Sequence, residues 1–412
     1  MSHHHPCISK TRSSIFFSNL IHEPFVSLYA LLPFILVNNF KVAAFQIVLL
    51  TMLQPIASIF SFYWSDLLSQ RKHTLKMNLL GAGLLARIPF IIAIFFNNAW
   101  LLIFASTLYM LFLRASIPAW VEMLKINLPS KLREKYFAIG SAIGYGEGVF
   151  IAIGVGMLLD ANIATWRILY LIALLLGLIG VLIQVSLPIR EGSHHEKTRV
   201  KKKQGIKKSF VNPWLDCIHL MKTRPDFRRF QWAFMIGGFG LMLAKPVIPF
   251  YFAQTLHLSY CDLMIAYSIC KGLGFVLTSP VWSRSMSILS VGQFTALVLT
   301  GFGAFSLLIV LGVYGSFWIY LAFFVYGIAQ AGSHLIWHLS GPLFSQEEKS
   351  ARFSSVNIVM CGVRGMLAPP LGGVLGVFLG PIIVLYLSAI LCLSAVSTMF
   401  VRVPKRLTQV AS

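Results

Sequence analysis

Glu147 stands in an apolar run, in the stretch Gly144-Tyr145-Gly146-Glu147-Gly148. The chain has only 13 acidic residues, and by sequence this is the one that falls inside a long hydrophobic block. Five cations share that setting: Arg87, Arg114, Lys245, Lys271 and Arg364. A charge surrounded by hydrocarbon is costly, so such residues mark proton paths, ion paths or substrate sites by default. A carboxylate there can take up and release a proton; a lysine or arginine can hold an anion. The competing reading of each is structural, as a fixed salt bridge or an arginine satisfied by backbone carbonyls. His334 and His338 are four apart and share a helix face. That spacing suits a metal or a proton relay, but no glutamate accompanies them as in zinc-protease helices. A polar face lining a cavity is the better reading, and no bound metal or cofactor is expected.

The elements that must position these residues follow from composition. The chain has 412 residues, 57% of them hydrophobic and 11% charged, with mean hydropathy +0.77. Soluble domains carry roughly 25% charged residues. The apolar residues come in blocks long enough to cross a bilayer as helices. Twelve such spans are predicted, near 24–39, 42–63, 78–96, 99–121, 137–158 and 168–187, then 230–252, 262–283, 291–312, 317–340, 354–378 and 381–401. The expected class is an all-α membrane protein with twelve transmembrane helices in two six-helix repeats. Its parts are a tail at 1–23, a bundle at 24–187, a basic linker at 188–229, a second bundle at 230–401 and a tail at 402–412.

A net charge of +21 invites a nucleic-acid reading, but the distribution opposes it. Of 34 Lys and Arg, 27 lie in alternate loops and termini and two, Lys41 and Arg167, in the opposite loops. That asymmetry predicts cytoplasmic termini and a cytoplasmic linker, in a bacterial inner membrane. Lys245 precedes Pro246 toward a span end and is expected to snorkel to the interface. Arg87 is expected to be structural or paired within the first half. Arg114 precedes Pro118 by four residues, so its own carbonyl lacks the usual helix partner, and Glu122 is a candidate counter-ion. Gly140, Gly144 and Gly148 are spaced for close helix approach.

The halves repeat. A shift of 217 residues carries Ser116 onto Ser333, Trp120 onto Trp337 and Gly148 onto Gly365. It also carries Glu147 onto Arg364 and Gln54 onto Lys271. Six-span parallel repeats joined by a polar loop are the plan of one large transporter class.

On these residues the chain resembles the major facilitator superfamily. That family marks its second-to-third-span loop with an Asp followed by a basic pair, and here Asp66, Arg71 and Lys72 stand there, without the family's glycines. Arg114 is similar to an arginine of the family's fourth span. The fifth span has the glycines of the family's exporters but lacks their Gly-Pro pair. The resemblance implies that spans five and eight face one another, which would set Glu147 against Lys271, and that spans two and eleven do so, which would set Gln54 against Arg364. It implies a conformational latch at Asp66, Arg71 and Lys72. Arg114, His334 and His338 join the candidate substrate or coupling residues.

In the linker, Lys201-Lys202-Lys203 and Lys207-Lys208 favour anionic lipid headgroups. Asn212-Pro213 predicts a short interfacial helix near 213–223 with Trp214, Leu215, Ile218 and Met221 on its apolar face. The function expected is secondary active transport of a small solute by alternating access, coupled to protons, with an anionic or zwitterionic substrate because the intramembrane cations outnumber the acid. A drug/proton antiporter is the alternative within the class. A non-transporting membrane sensor or assembly factor is the alternative outside it. No GxxxxGK[ST] sequence is present, and no nucleophile–base pair suggests an enzyme. A monomer is expected.

Overall fold

The computed structural model describes residues 6–69, 75–188, 206–345 and 350–400. All regular structure among them is helical. In chain order the first helices are α1 (Pro6–Phe40), α2 (Ala44–Ser69), α3 (Leu75–Ala93), α4 (Ala99–Asn127), α5 (Ser130–Ala161) and α6 (Trp166–Ser186). There follow α7 (Ile206–Thr223), α8 (Pro225–Ala244), the short α9 (Ile248–Phe250) and α10 (Tyr260–Met264), then α11 (Lys271–Ile288), α12 (Val291–Val310), α13 (Ser316–Ser345), α14 (Ser350–Leu379) and α15 (Pro381–Phe400). Among the described residues, ten stretches are long and apolar enough to cross a membrane. Of the remaining two predicted spans, α2 contributes the apolar stretch Ala44–Ile59. Much of α5 lies where side chains are outside the description.

Local chemistry sets several boundaries. Asn98 starts α4 by accepting from the Trp100 amide at 2.9 Å. Ser259 with Asp262, and Ser290 with Gln293, form reciprocal capping boxes at α10 and α12. α8 stops before Lys245-Pro246, where proline supplies no amide hydrogen. The chain then resumes through α9 and a π-turn, Tyr251–Thr255.

By packing the chain forms two units. Residues 1–32 and 57–205 form one, and residues 33–56 and 206–412 the other. In the first unit α1 begins at Pro6, so the segment expected as a tail through residue 23 is instead helical and packed. Ile15 is buried with Leu124 of α4 and with Leu128 just past its end. The Asn127 amide donates to Thr11 at 3.2 Å and that of Gln184 to Ser18 at 2.6 Å. Lys10, Arg12, His22, Glu23 and Pro24 dilute the apolar signal, while burial on α4 and α6 holds the helix together. Deeper in the unit Phe25, Tyr29, Phe90, Tyr109 and Tyr170 form one aromatic cluster. Tyr170 anchors it by donating to Leu28 O at 2.7 Å.

The second unit is built on Phe227, Phe230, Phe234, Phe344 and Phe353. Residues 33–56 join it through Phe34, which stacks on Phe252 at 6.0 Å, and Asn38, which donates to the Tyr260 hydroxyl at 3.3 Å. Glycines of α14 make further room: Gly365 receives Pro55, Gly373 receives Val48, and Gly372 receives the Leu243 carbonyl. α7 is longer than the interfacial helix expected at 213–223. It turns Cys217 and Leu220 into this core and leaves Trp214, Leu215 and Ile218 exposed.

Candidate functional site

In the first unit the site begins at Glu147, midway along α5. The residue is half-buried, and its Oε2 is buried with no hydrogen-bond partner among the described residues. The next residue, Gly148, lies against α1: a Cβ there would stand 3.4 Å from Oε1 of Glu23 and 3.8 Å from Oγ of Ser27. Glu23 is therefore a second acid of this region. It lies in the middle of the apolar stretch Ile8–Phe40, which corrects the reading of Glu147 as the sole acid of a hydrophobic span. The signal for it is the length of α1, since Glu23 is terminal only to a span that starts at residue 24.

Arg87 pairs within the first half. It is 5% exposed, donates from Nη1 to Gly83 O at 3.2 Å, and meets His22 Nδ1 with Nη2 at 3.1 Å. That contact makes Nδ1 the acceptor and leaves the ring proton on Nε2. Gly177 of α6 leaves the space the guanidinium fills. Arg114 is half-buried on α4, beside Ser116, whose hydroxyl donates to Leu113 O at 2.8 Å.

In the second unit Arg364 is 8% exposed. Its Nη1 donates to Phe234 O at 2.7 Å, and its guanidinium lies 4.7 Å over the Phe234 ring. Nη2 approaches Cys361 Sγ at 3.6 Å, and Nε has no hydrogen-bond partner among the described residues. The space comes from Gly238, where any side chain would overlap the guanidinium. Spans two and eleven do adjoin, through Pro55 and Gly365, but Arg364 is held by α8 and by its own helix rather than by Gln54. Gln54 is exposed.

Lys271 opens α11 directly after a π-turn, Ile265–Cys270. Such turns widen a helix by one residue and recur at functional positions. The Lys271 carbonyl lies against Gly327 of α13, which fixes the backbone while the side chain stays half-buried. His334 is exposed, with its ring edge-on to Phe275 at 5.5 Å. Lys245, expected to snorkel, is half-buried. The side chains of His338 and Asp66, and all of Arg71 and Lys72, lie outside the described residues. Among the described residues no cluster of three or more His, Cys, Asp or Glu is placed to hold a metal.

The sequence profile of the Major Facilitator Superfamily matches residues 15–365. The chain belongs to this superfamily. It is a multi-pass integral membrane protein with the superfamily's transporter fold. Among solved structures it is similar to the nucleoside transporter NupG, at TM-score 0.69 and 13% identity, covering 97% of this chain and 100% of that one. It is also similar to the peptide transporter POT in complex with sulfate, at TM-score 0.69 and 13% identity over 95% and 93% of the two chains. A POT family transporter in complex with 5-aminolevulinic acid follows, at TM-score 0.66 and 13% identity over 94% of each. A search of curated protein sequences finds no significant match.

Proposed function

We propose that the protein is a proton-coupled secondary transporter of a small anionic or zwitterionic solute, working by alternating access in a bacterial inner membrane with both termini cytoplasmic. The observation that carries the reading is the Glu147 carboxylate, whose buried Oε2 has no partner among the described residues. A carboxylate left so in hydrocarbon favours the protonated form, and an alternating-access cycle can load and unload that proton. Glu147 and Lys271 act as complementary charges in this cycle. Arg364 and Arg114 serve the solute, with Gln54, His334 and His338 as polar groups of the pathway. Asp66, Arg71 and Lys72 serve as a latch, and the basic linker meets anionic lipid. Superfamily membership supports a transporter over an enzyme, and a monomer suffices for this plan.

The test is uptake into proteoliposomes with an imposed pH gradient, screened over organic acids, amino acids and phosphorylated metabolites. Gradient-driven accumulation of one of these classes is the expected result. Accumulation of lipophilic cations alone would favour a drug antiporter instead. No flux of any solute would favour the sensor reading.

A further inference from the structure

The chain turns a corner between α7 and α8, and one residue fixes it. Arg224 lies between the two helices with an extended backbone. Its Nε and Nη2 donate to the Asp226 carboxylate at 3.2 and 3.0 Å, and Nη2 also donates to Phe344 O at 2.9 Å. The guanidinium lies 5.4 Å from the centre of the Phe353 ring. Phe344 and Phe353 in turn pack edge-on to Phe227 of α8. The corner is therefore pinned to the end of α13 and the start of α14, all within the second unit.

Pinning decides which faces point outward. Cys217 and Leu220 of α7 are buried in the core of this unit. At 3.6 residues per turn, Trp214, Leu215, Ile218 and Lys222 fall in one sector about 100° wide beside that core face. All four are exposed. Three apolar side chains around a lysine suit the boundary between acyl chains and headgroups, where the lysine stem lies along hydrocarbon and its ammonium reaches out. On α8, Pro225, Arg228, Arg229 and Trp232 recur at the spacing of one helix face, and all four are exposed. Trp232 follows Arg228 by four residues, about 6 Å along the axis. The membrane span of α8 begins at Pro225. An exposed tryptophan near the start of a span marks headgroup depth, so the arginine one turn outward stands level with lipid phosphates.

The charge balance favours an anion. Residues 206–232 contain six basic and two acidic residues. One of those acids, Asp226, is already paired with Arg224. The sequence between the pinning phenylalanines adds Glu347, Glu348, Lys349 and Arg352, whose charges cancel.

We propose that this corner docks the headgroup of an anionic phospholipid, with Lys222 and Arg228 as its cations and Trp214 and Trp232 as its interfacial anchors. This deepens the reading that the basic linker meets anionic lipid, and it rests on that reading for the leaflet that the corner faces. The contact moves from the lysine run at 201–208 to two folded helices. Because Arg224 ties the corner to α13 and α14, a bound headgroup also stabilises the second unit.

The test is thermal unfolding of the purified full-length protein in neutral detergent micelles, titrated with short-chain phosphatidylglycerol or phosphatidylcholine at matched ionic strength. Saturable protection by phosphatidylglycerol and none by phosphatidylcholine is expected. The half-saturating concentration should rise about fivefold in Lys222→Gln or Arg228→Gln and about 25-fold in the double variant. It should stay within about twofold of wild type in Lys222→Arg combined with Arg228→Lys, which keeps both charges. It should be unchanged in Arg167→Gln, which alters an exposed cation of the first unit. Wild-type half-saturation in the double Gln variant overturns the corner. If that result comes with weakened binding after Lys201, Lys202 and Lys203 are replaced by Gln, the linker reading stands and only the corner falls. Protection by glycerol 3-phosphate as strong as that by phosphatidylglycerol assigns a soluble anion and overturns the lipid occupant. No protection of the wild type by phosphatidylglycerol overturns both readings.

Discussion

The two units bury charge in opposite ways. In the first unit Arg87 is tied to Gly83 and His22, Glu23 of α1 lies against Gly148 beside Glu147 of α5, and Glu147 has a buried oxygen with no partner among the described residues. In the second unit Arg364 has a carbonyl, a ring and a thiol for company, and its partners among the described residues include no carboxylate. A glutamate in hydrocarbon can shed its charge by taking a proton, and an arginine cannot. The first unit thus holds a buried group that can change its charge, and the second one that cannot. That division of chemistry between units with corresponding positions, Glu147 and Arg364, is what the repeat by itself did not reveal.

The comparison can be broken first at Arg87. Replacing it with Ala removes the partner of His22 and of the Gly83 carbonyl and leaves a cavity against Gly177. A loss of about 3–5 kcal/mol is expected, seen as poor folded yield or a large fall in Tm. Arg364→Gln should cost less stability, about 1–3 kcal/mol for the lost contacts to Phe234, but should lower solute flux at least about tenfold. A stability loss as large as that of Arg87→Ala with proportionate flux would make Arg364 structural and erase the contrast. Glu147→Gln should change stability by no more than about 1 kcal/mol, since it removes a carboxylate oxygen that had no partner. Gly148→Ala should have the smallest effect. Its Cβ would meet Glu23 at 3.4 Å, and the gain in helix propensity is about 1 kcal/mol. A marked loss of flux with an unchanged Tm in that variant would show that Glu23 must move past α5.

Much of this was legible in the sequence because bilayer helices are dictated by long apolar blocks. The superfamily and the cations carried by the apolar helices followed from the same reading. What escaped it depended on packing. The start of α1 was hidden by Lys10, Arg12 and Pro24, so Glu23 looked terminal although it lies mid-helix. The contact of Leu243 with Gly372 is one that no periodicity predicts. Arg364 was expected beside Gln54, and the adjacency of α2 and α14 is present, but Gly238 opens a space toward α8 and the guanidinium fills it. Glycines at helix contacts carry this information only when the helix each one faces is known.

The central claim is that Glu147 carries the coupling proton. Its most direct test is solute flux in proteoliposomes measured across pH for wild type and Glu147→Gln. The account predicts that wild-type accumulation responds to an imposed proton gradient and that Glu147→Gln loses this response while still exchanging solute across the membrane. A Glu147→Gln protein with the wild-type rate and the wild-type pH dependence would contradict it.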